Sequence, residues 1–359
     1  MNNRKVRVAI THGDTNGIGY ELIFKTFAEP DMLEMCTPII YGSPKVATYH
    51  RNALQTQANF TIINNAVEAH DGHLNLLPTF DEEIKVELGI ATPESAQASQ
   101  KAINRAMEDF QQNAFDVLVT APSNTIPADE PQALKILVSD ALRVALMTPQ
   151  IPLKDVVARV THENVKTAAK TFFTTLKRDF SISNPRIAIL ALNPKKADGS
   201  FGKEEEDIIK PVITELEEEK VQAFGPYAAD EFFGNGLYEA FDGVLALYYE
   251  QGVTPFKALS PEDGITYISG QTLIRTAVDN EPFEHAGKGI TDEMSFRHAI
   301  YTAIDTFRNR TNYDIPLENP LKKLYKERKD ESEKVRFSVP KKTENSGEKR
   351  EDNKPVQNA

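Results

Sequence analysis

The chain has 359 residues, 40% of them hydrophobic and spread along its length, enough for two ordinary domains or one large one around a real core. The net charge is −12, and a body this acidic argues against nucleic acid as the main partner. No apolar run is long enough to span a membrane, no signal-peptide pattern opens the chain, and the one cysteine, Cys36, has no partner for an internal disulfide, so a soluble cytoplasmic protein is expected.

The elements alternate along the chain. Val6–Ile10, Pro38–Tyr41, Val117–Ala121, Arg143–Met147, Arg186–Leu192 and Gly243–Tyr248 are continuous apolar runs, as expected of strands covered on both faces. Thr92 followed by Pro93 predicts a capped helix to about Phe110, and Thr161 caps another to about Asp179. Glu204–Glu219 and Met294–Arg308 have helical period. Strand–helix alternation predicts an α/β fold with a largely parallel sheet. From Leu321 onward the chain carries 12 Lys and Arg against 8 Asp and Glu, leaving 29 against 45 in the body. That polar, weakly basic end is predicted to be a disordered tail.

In such sheets ligands sit beyond the carboxyl ends of strands. The first such loop reads THGDTNGIGYE; Gly13, Gly17 and Gly19 permit close backbone approach, but a tight structural turn accounts for them as well as a ligand does. Its spacing is not the dinucleotide fingerprint.

Taken together the loops are more specific. The first resembles GDPAGIGPE. VTAPSNT resembles VTAPINK, RVALMTPQIPLKDV resembles RVALVTTHLPLKDV, and FDGVLALYYEQGVTPFKAL resembles FDGVLAMYHDQGLAPFKxL. These are motifs of the 4-hydroxythreonine-4-phosphate dehydrogenase (PdxA) family, matched in order over about residues 5–310. The resemblance implies a two-domain fold of the isocitrate/isopropylmalate dehydrogenase type: residues 1–125 with 284–318 as one domain, 126–283 as the second, carrying the dimer interface, and 319–359 as the tail. It also implies a homodimer, and NAD-dependent oxidation of a phosphorylated hydroxy-amino acid held by a divalent metal, in the pathway to pyridoxal phosphate.

The departures from the family are pointed. Its three metal-binding histidines correspond here to Gln150, Lys195 and Tyr249. A Gln, an ammonium and a neutral phenol make a poor donor set for such an ion, so loss of the metal is expected. The family's GHTE substrate segment is absent after Thr125, and its R-T-S-x-x-H-G-T-A is Arg275-Thr276-Ala277-Val278-Asp279-Asn280-Glu281-Pro282, which brings NAD binding into question. Lys257 and Arg275 match two substrate-phosphate contacts, with Thr266 at a third, so a small phosphorylated or carboxylate ligand is expected there.

Losing a Lewis-acid metal costs on the order of a thousandfold in rate. The leading expectation is therefore a catalytically degenerate homologue that retains the fold or ligand binding. The alternative is an active NAD-dependent dehydrogenase. It is either metal-free, with Lys195 and Tyr249 as a catalytic pair in which the ammonium lowers the phenol's pKa, or built on an altered metal site with Glu250 and Asp198 as replacement carboxylates.

Overall fold

The computed structural model describes residues 4–125, 133–261 and 263–320. The strands in the first part of the chain are β1 (Val6–Thr11), β2 (Cys36–Gly42), β3 (Thr61–Ile62), β4 (Asn75–Pro78), β5 (Val117–Thr120) and β6 (Leu134–Val138). They continue as β7 (Arg143–Leu146), β8 (Ile187–Leu190), β9 (Ala223–Tyr227), β10 (Gly243–Ala246), β11 (Ile265–Ser269) and β12 (Ile274–Val278). The helices are α1 (Gly19–Thr26), α2 (Pro30–Met35), α3 (Pro44–Ala53), α4 (Pro93–Gln111) and α5 (Leu153–Val156). They continue as α6 (His162–Arg178), α7 (Lys210–Glu218), α8 (Ala229–Gly234), α9 (Tyr249–Leu259) and α10 (Met294–Glu318).

All the strands join one twelve-stranded sheet in the order β3-β4-β2-β1-β5-β12-β11-β6-β7-β10-β8-β9. It is parallel except at its centre, where β11 runs antiparallel to both β12 and β6, and β6 antiparallel to β7. The α/β class with a mostly parallel sheet is as expected. β2, β8, β10 and β11 are buried along their whole length, which in β8 and β10 explains the unbroken apolar sequence.

The expected domain junction after residue 125 falls between β5 and β6. β12, from the far end of the expected second segment, pairs directly with β5. The chain to Leu317 is one compact unit. The expected disordered tail lies, from residue 321 on, outside the described residues. Among the described residues, no helix is long and apolar enough to cross a membrane.

The expected caps form. Thr92 accepts from the Ser95 amide at 3.1 Å while Ser95 Oγ accepts from the Thr92 amide at 3.2 Å, with Pro93 in the first turn of α4. Thr161 likewise caps α6. The expected helix over 204–219 differs at its start, where Glu205–Ile209 is wound as a π-helix before α7 begins. Met294 starts α10 as expected, but the helix continues to Glu318.

Behind the antiparallel centre lies a buried ion pair. Arg310 of α10 donates to Asp179 at 2.7 Å, and the Tyr267 hydroxyl of β11 donates to the same carboxylate at 2.6 Å. Breaking such a pair strands a buried charge, so it fixes α6, α10 and β11 against one another.

Candidate active site

The register of the central strands determines one face. Arg275 of β12 lies opposite Ile268 of β11, and Ile268 opposite Lys135 of β6. In the next row Thr120, Ala277, Thr266 and Leu137 are aligned. Directly opposed residues point to the same face. That face floors a cleft of about 810 Å³, within the range of small-molecule sites.

The walls come from the loops beyond the strands. The segment after β5 contributes Ser123 and Asn124, and the loop after β7 contributes Gln150. Helix α9 contributes Tyr249 at its first position and Lys257 about two turns further on. The start of α9 is fixed by Gln251, which accepts from the Leu247 amide at 2.8 Å and donates to the Ala191 carbonyl at 2.6 Å. The remaining wall, after β12, carries Asp279, Glu281 and Glu284.

The expected anion contacts are therefore brought together. Arg275 and Thr266 are buried at 4% and 5% exposure, while Lys257 reaches in from α9. Lys257 pairs with Asp279 at 2.8 Å, which raises its pKa and keeps it charged. Both side chains are well exposed, so the pair is weak and Lys257 can exchange Asp279 for a ligand anion.

The expected catalytic pair is not in contact. Tyr249 lines the cleft, whereas Lys195 Nζ sits 3.1 Å from Glu231 of α8 and is not among the groups lining it. The loop bearing Lys195 is anchored at its base, where the Asn193 amide donates to the buried Glu205 carboxylate at 2.8 Å. The expected lowering of the phenol pKa is reversed: Tyr249 is raised above 10. Burial is the first cause and Asp279 the second; Glu250 adds to the rise, and Lys257, not Lys195, opposes it.

Gln150, Tyr249 and Lys195 offer a carboxamide, a neutral phenol and an ammonium already bound to Glu231, a poor donor set for a divalent metal. Asp198 spends its carboxylate on the Ser200 amide and hydroxyl at 2.9 and 2.7 Å. The carboxylates of the 279–284 wall are of a kind that accepts from ribose hydroxyls.

The first loop serves the cleft indirectly. The Ile18 amide, at the start of α1, donates to the Pro282 carbonyl at 2.9 Å, and the Asp14 amide donates to Pro122 at 3.1 Å. Gly13 has φ +76°, and a Cβ on Gly17 would stand 2.5 Å from the Pro282 oxygen. This loop is a clamp on two cleft walls.

Sequence reasoning missed Lys135, Gln251 and Asp279. Only Lys135 left a signal, a lone charge in the apolar run LKILV.

Comparison with known proteins gives the chain's relatives. The family described as "Pyridoxal phosphate biosynthetic protein PdxA" matches residues 34–128 and 126–303. A 4-hydroxythreonine-4-phosphate dehydrogenase of Bacteroides thetaiotaomicron is 46% identical over 94% of this chain and 99% of its own. One from Geobacter metallireducens is 32% identical over 86% of this chain and 97% of its own. The crystal structure of a 4-hydroxythreonine-4-phosphate dehydrogenase from Burkholderia phymatum superposes with a TM-score of 0.67 at 28% identity, covering 85% of this chain and 99% of the other.

Proposed function

The chain belongs to the PdxA family, and from that premise we propose that it is a working NAD-dependent dehydrogenase of a small phosphorylated hydroxy acid that does without the three-histidine metal. The expectation of a degenerate chain draws no support from the comparisons, where relatives similar along nearly the whole chain are named as dehydrogenases. One observation carries the reading: a single cleft receives Arg275, Thr266, Lys257 and Tyr249.

Lys257 and Arg275 hold the substrate phosphate through charge-assisted hydrogen bonds, and Thr266 orients it. NAD, when bound, supplies the hydride acceptor. As the phenolate, Tyr249 would take the proton of the substrate hydroxyl as the hydride leaves the carbon that bears that hydroxyl. Its raised pKa makes the phenolate scarce at neutral pH, so oxidation accelerates as pH rises toward that pKa. The proposed form is a homodimer, read out as a two-chain mass by light scattering.

The test is NADH absorbance with 4-phosphooxy-threonine, with and without chelator. Chelator-resistant turnover that rises with pH supports the proposal. No turnover and no NAD binding by calorimetry would sink it. One observation favours a second reading, a family member that binds without turning over. Lys195 is held by Glu231, leaving the Tyr249 hydroxyl without its help.

A further inference from the structure

A cation within the cleft is left over by the phosphate contacts. Lys135 occupies the second position of β6, between buried Leu134 and buried Ile136, and is itself exposed. Its side chain leaves the sheet on the same face as Arg275, because Lys135, Ile268 and Arg275 form one row across β6, β11 and β12. Two interstrand spacings separate the ends of that row, about 10 Å between backbones. Lys135 lines the cleft and makes no hydrogen bond or ion pair among the described residues.

A lysine in the interior of an otherwise apolar strand disfavours the strand and adds nothing to the core. Here it places a strongly hydrated cation at the opposite end of the row from Arg275. The two ends of the row can each meet a different group of one ligand. A short linear molecule with an anion at each end is such a ligand.

We infer that Lys135 is a specificity-determining residue that holds the carboxylate of a substrate whose phosphate lies at Arg275 and Lys257. The inference rests on the reading of the cleft as a phosphate site. It selects phosphorylated hydroxy acids over phosphorylated polyols of the same length. Lys135 binds and orients; it takes no part in the proton or hydride transfer.

The experiment is calorimetric titration of the full chain with two probes, D-threonate 4-phosphate and the threitol phosphate in which a hydroxymethyl group replaces the carboxylate. The wild type is expected to prefer the first by on the order of tenfold or more, as befits one charge-assisted contact. Lys135→Ala should erase that preference by weakening only the carboxylate probe, and Lys135→Arg should restore most of it. Equal weakening of both probes by Lys135→Ala, or an undiminished preference, overturns the inference while leaving the phosphate site standing. Failure of the wild type to bind either probe overturns the phosphate site and this inference together.

Discussion

The loop after β1 and the walls around α9 both follow strand ends, and both carry polar residues and glycine, yet they use them in opposite ways. In the first loop His12, Asp14, Thr15 and Asn16 are all at most 3% exposed. Asn16 alone bonds the Ile90 carbonyl at 2.8 Å and the Glu87 amide at 2.9 Å. Around α9, Lys257 and Lys135 stay exposed and Tyr249 half-buried. Glycine-rich sequence thus reports packing in the first region, while the proposed ligand site lies where polar groups remain exposed.

The contrast is sharpest at Tyr249. Tyr249→Phe should lower the rate of NADH formation by about a thousandfold, as removal of a proton-transfer group does, with unfolding free energy unchanged within about 1 kcal/mol. Turnover within tenfold of wild type would remove Tyr249 from the chemistry. Gly19→Ala tests the other region. Its Cβ would lie 2.0 Å from the His12 carbonyl oxygen, so a destabilisation of roughly 3 kcal/mol is expected in denaturant titration. Should Gly19→Ala keep its stability but lose binding, the first loop would itself be a ligand site and the contrast would fail.

Acid should act on the first region only. His12 is fully buried, stacked on Tyr20 at 5.4 Å between centroids, and Tyr20 stacks in turn on His50 at 5.1 Å. Burial, with His50 adding to it, lowers the His12 pKa to about 4. The unfolded chain binds this proton more readily, so stability is complete above the unfolded value near 6.5 and declines as pH falls toward 4. The loss from His12 is about 2 kcal/mol at pH 5. Burial lowers His50 as well, in the same direction. Urea midpoints for wild type and His12→Phe should converge on lowering the pH from 7 to 5. Parallel decline of the two would show that His12 does not carry the effect.

Much of this contrast was legible in sequence, and the illegible part has physical causes. The parallel strands β1, β2, β5, β7, β8 and β10 are buried on both faces and read as apolar runs. β11 and β12, as ITYIS and IRTAV, interleave polar residues because one face floors the cleft, and they escape that reading. β6 hides for the same reason, with Lys135 in its second position. The residues proposed to hold the phosphate, Lys257, Thr266 and Arg275, were legible because motif order fixed their positions. The partners of Lys195 and Tyr249 were not, because Glu231 and Asp279 reach those residues through tertiary packing.

Lys195 gives the smallest expected effect and the finest cut through the site. Its ammonium and the Glu231 carboxylate are 39% and 52% exposed, so the pair is screened and contributes less than about 1 kcal/mol. Lys195→Ala should therefore shift the unfolding midpoint little and leave turnover within about twofold, since Lys257 is the cation that acts on Tyr249. The double variant with Glu231→Ala should match the single one, because neither group is left buried without a partner. A large loss in Lys195→Ala that Glu231→Ala does not share would mean that the ammonium leaves Glu231 for the Tyr249 hydroxyl when substrate binds. The metal-free pair expected from the sequence would then form only in the ligand complex.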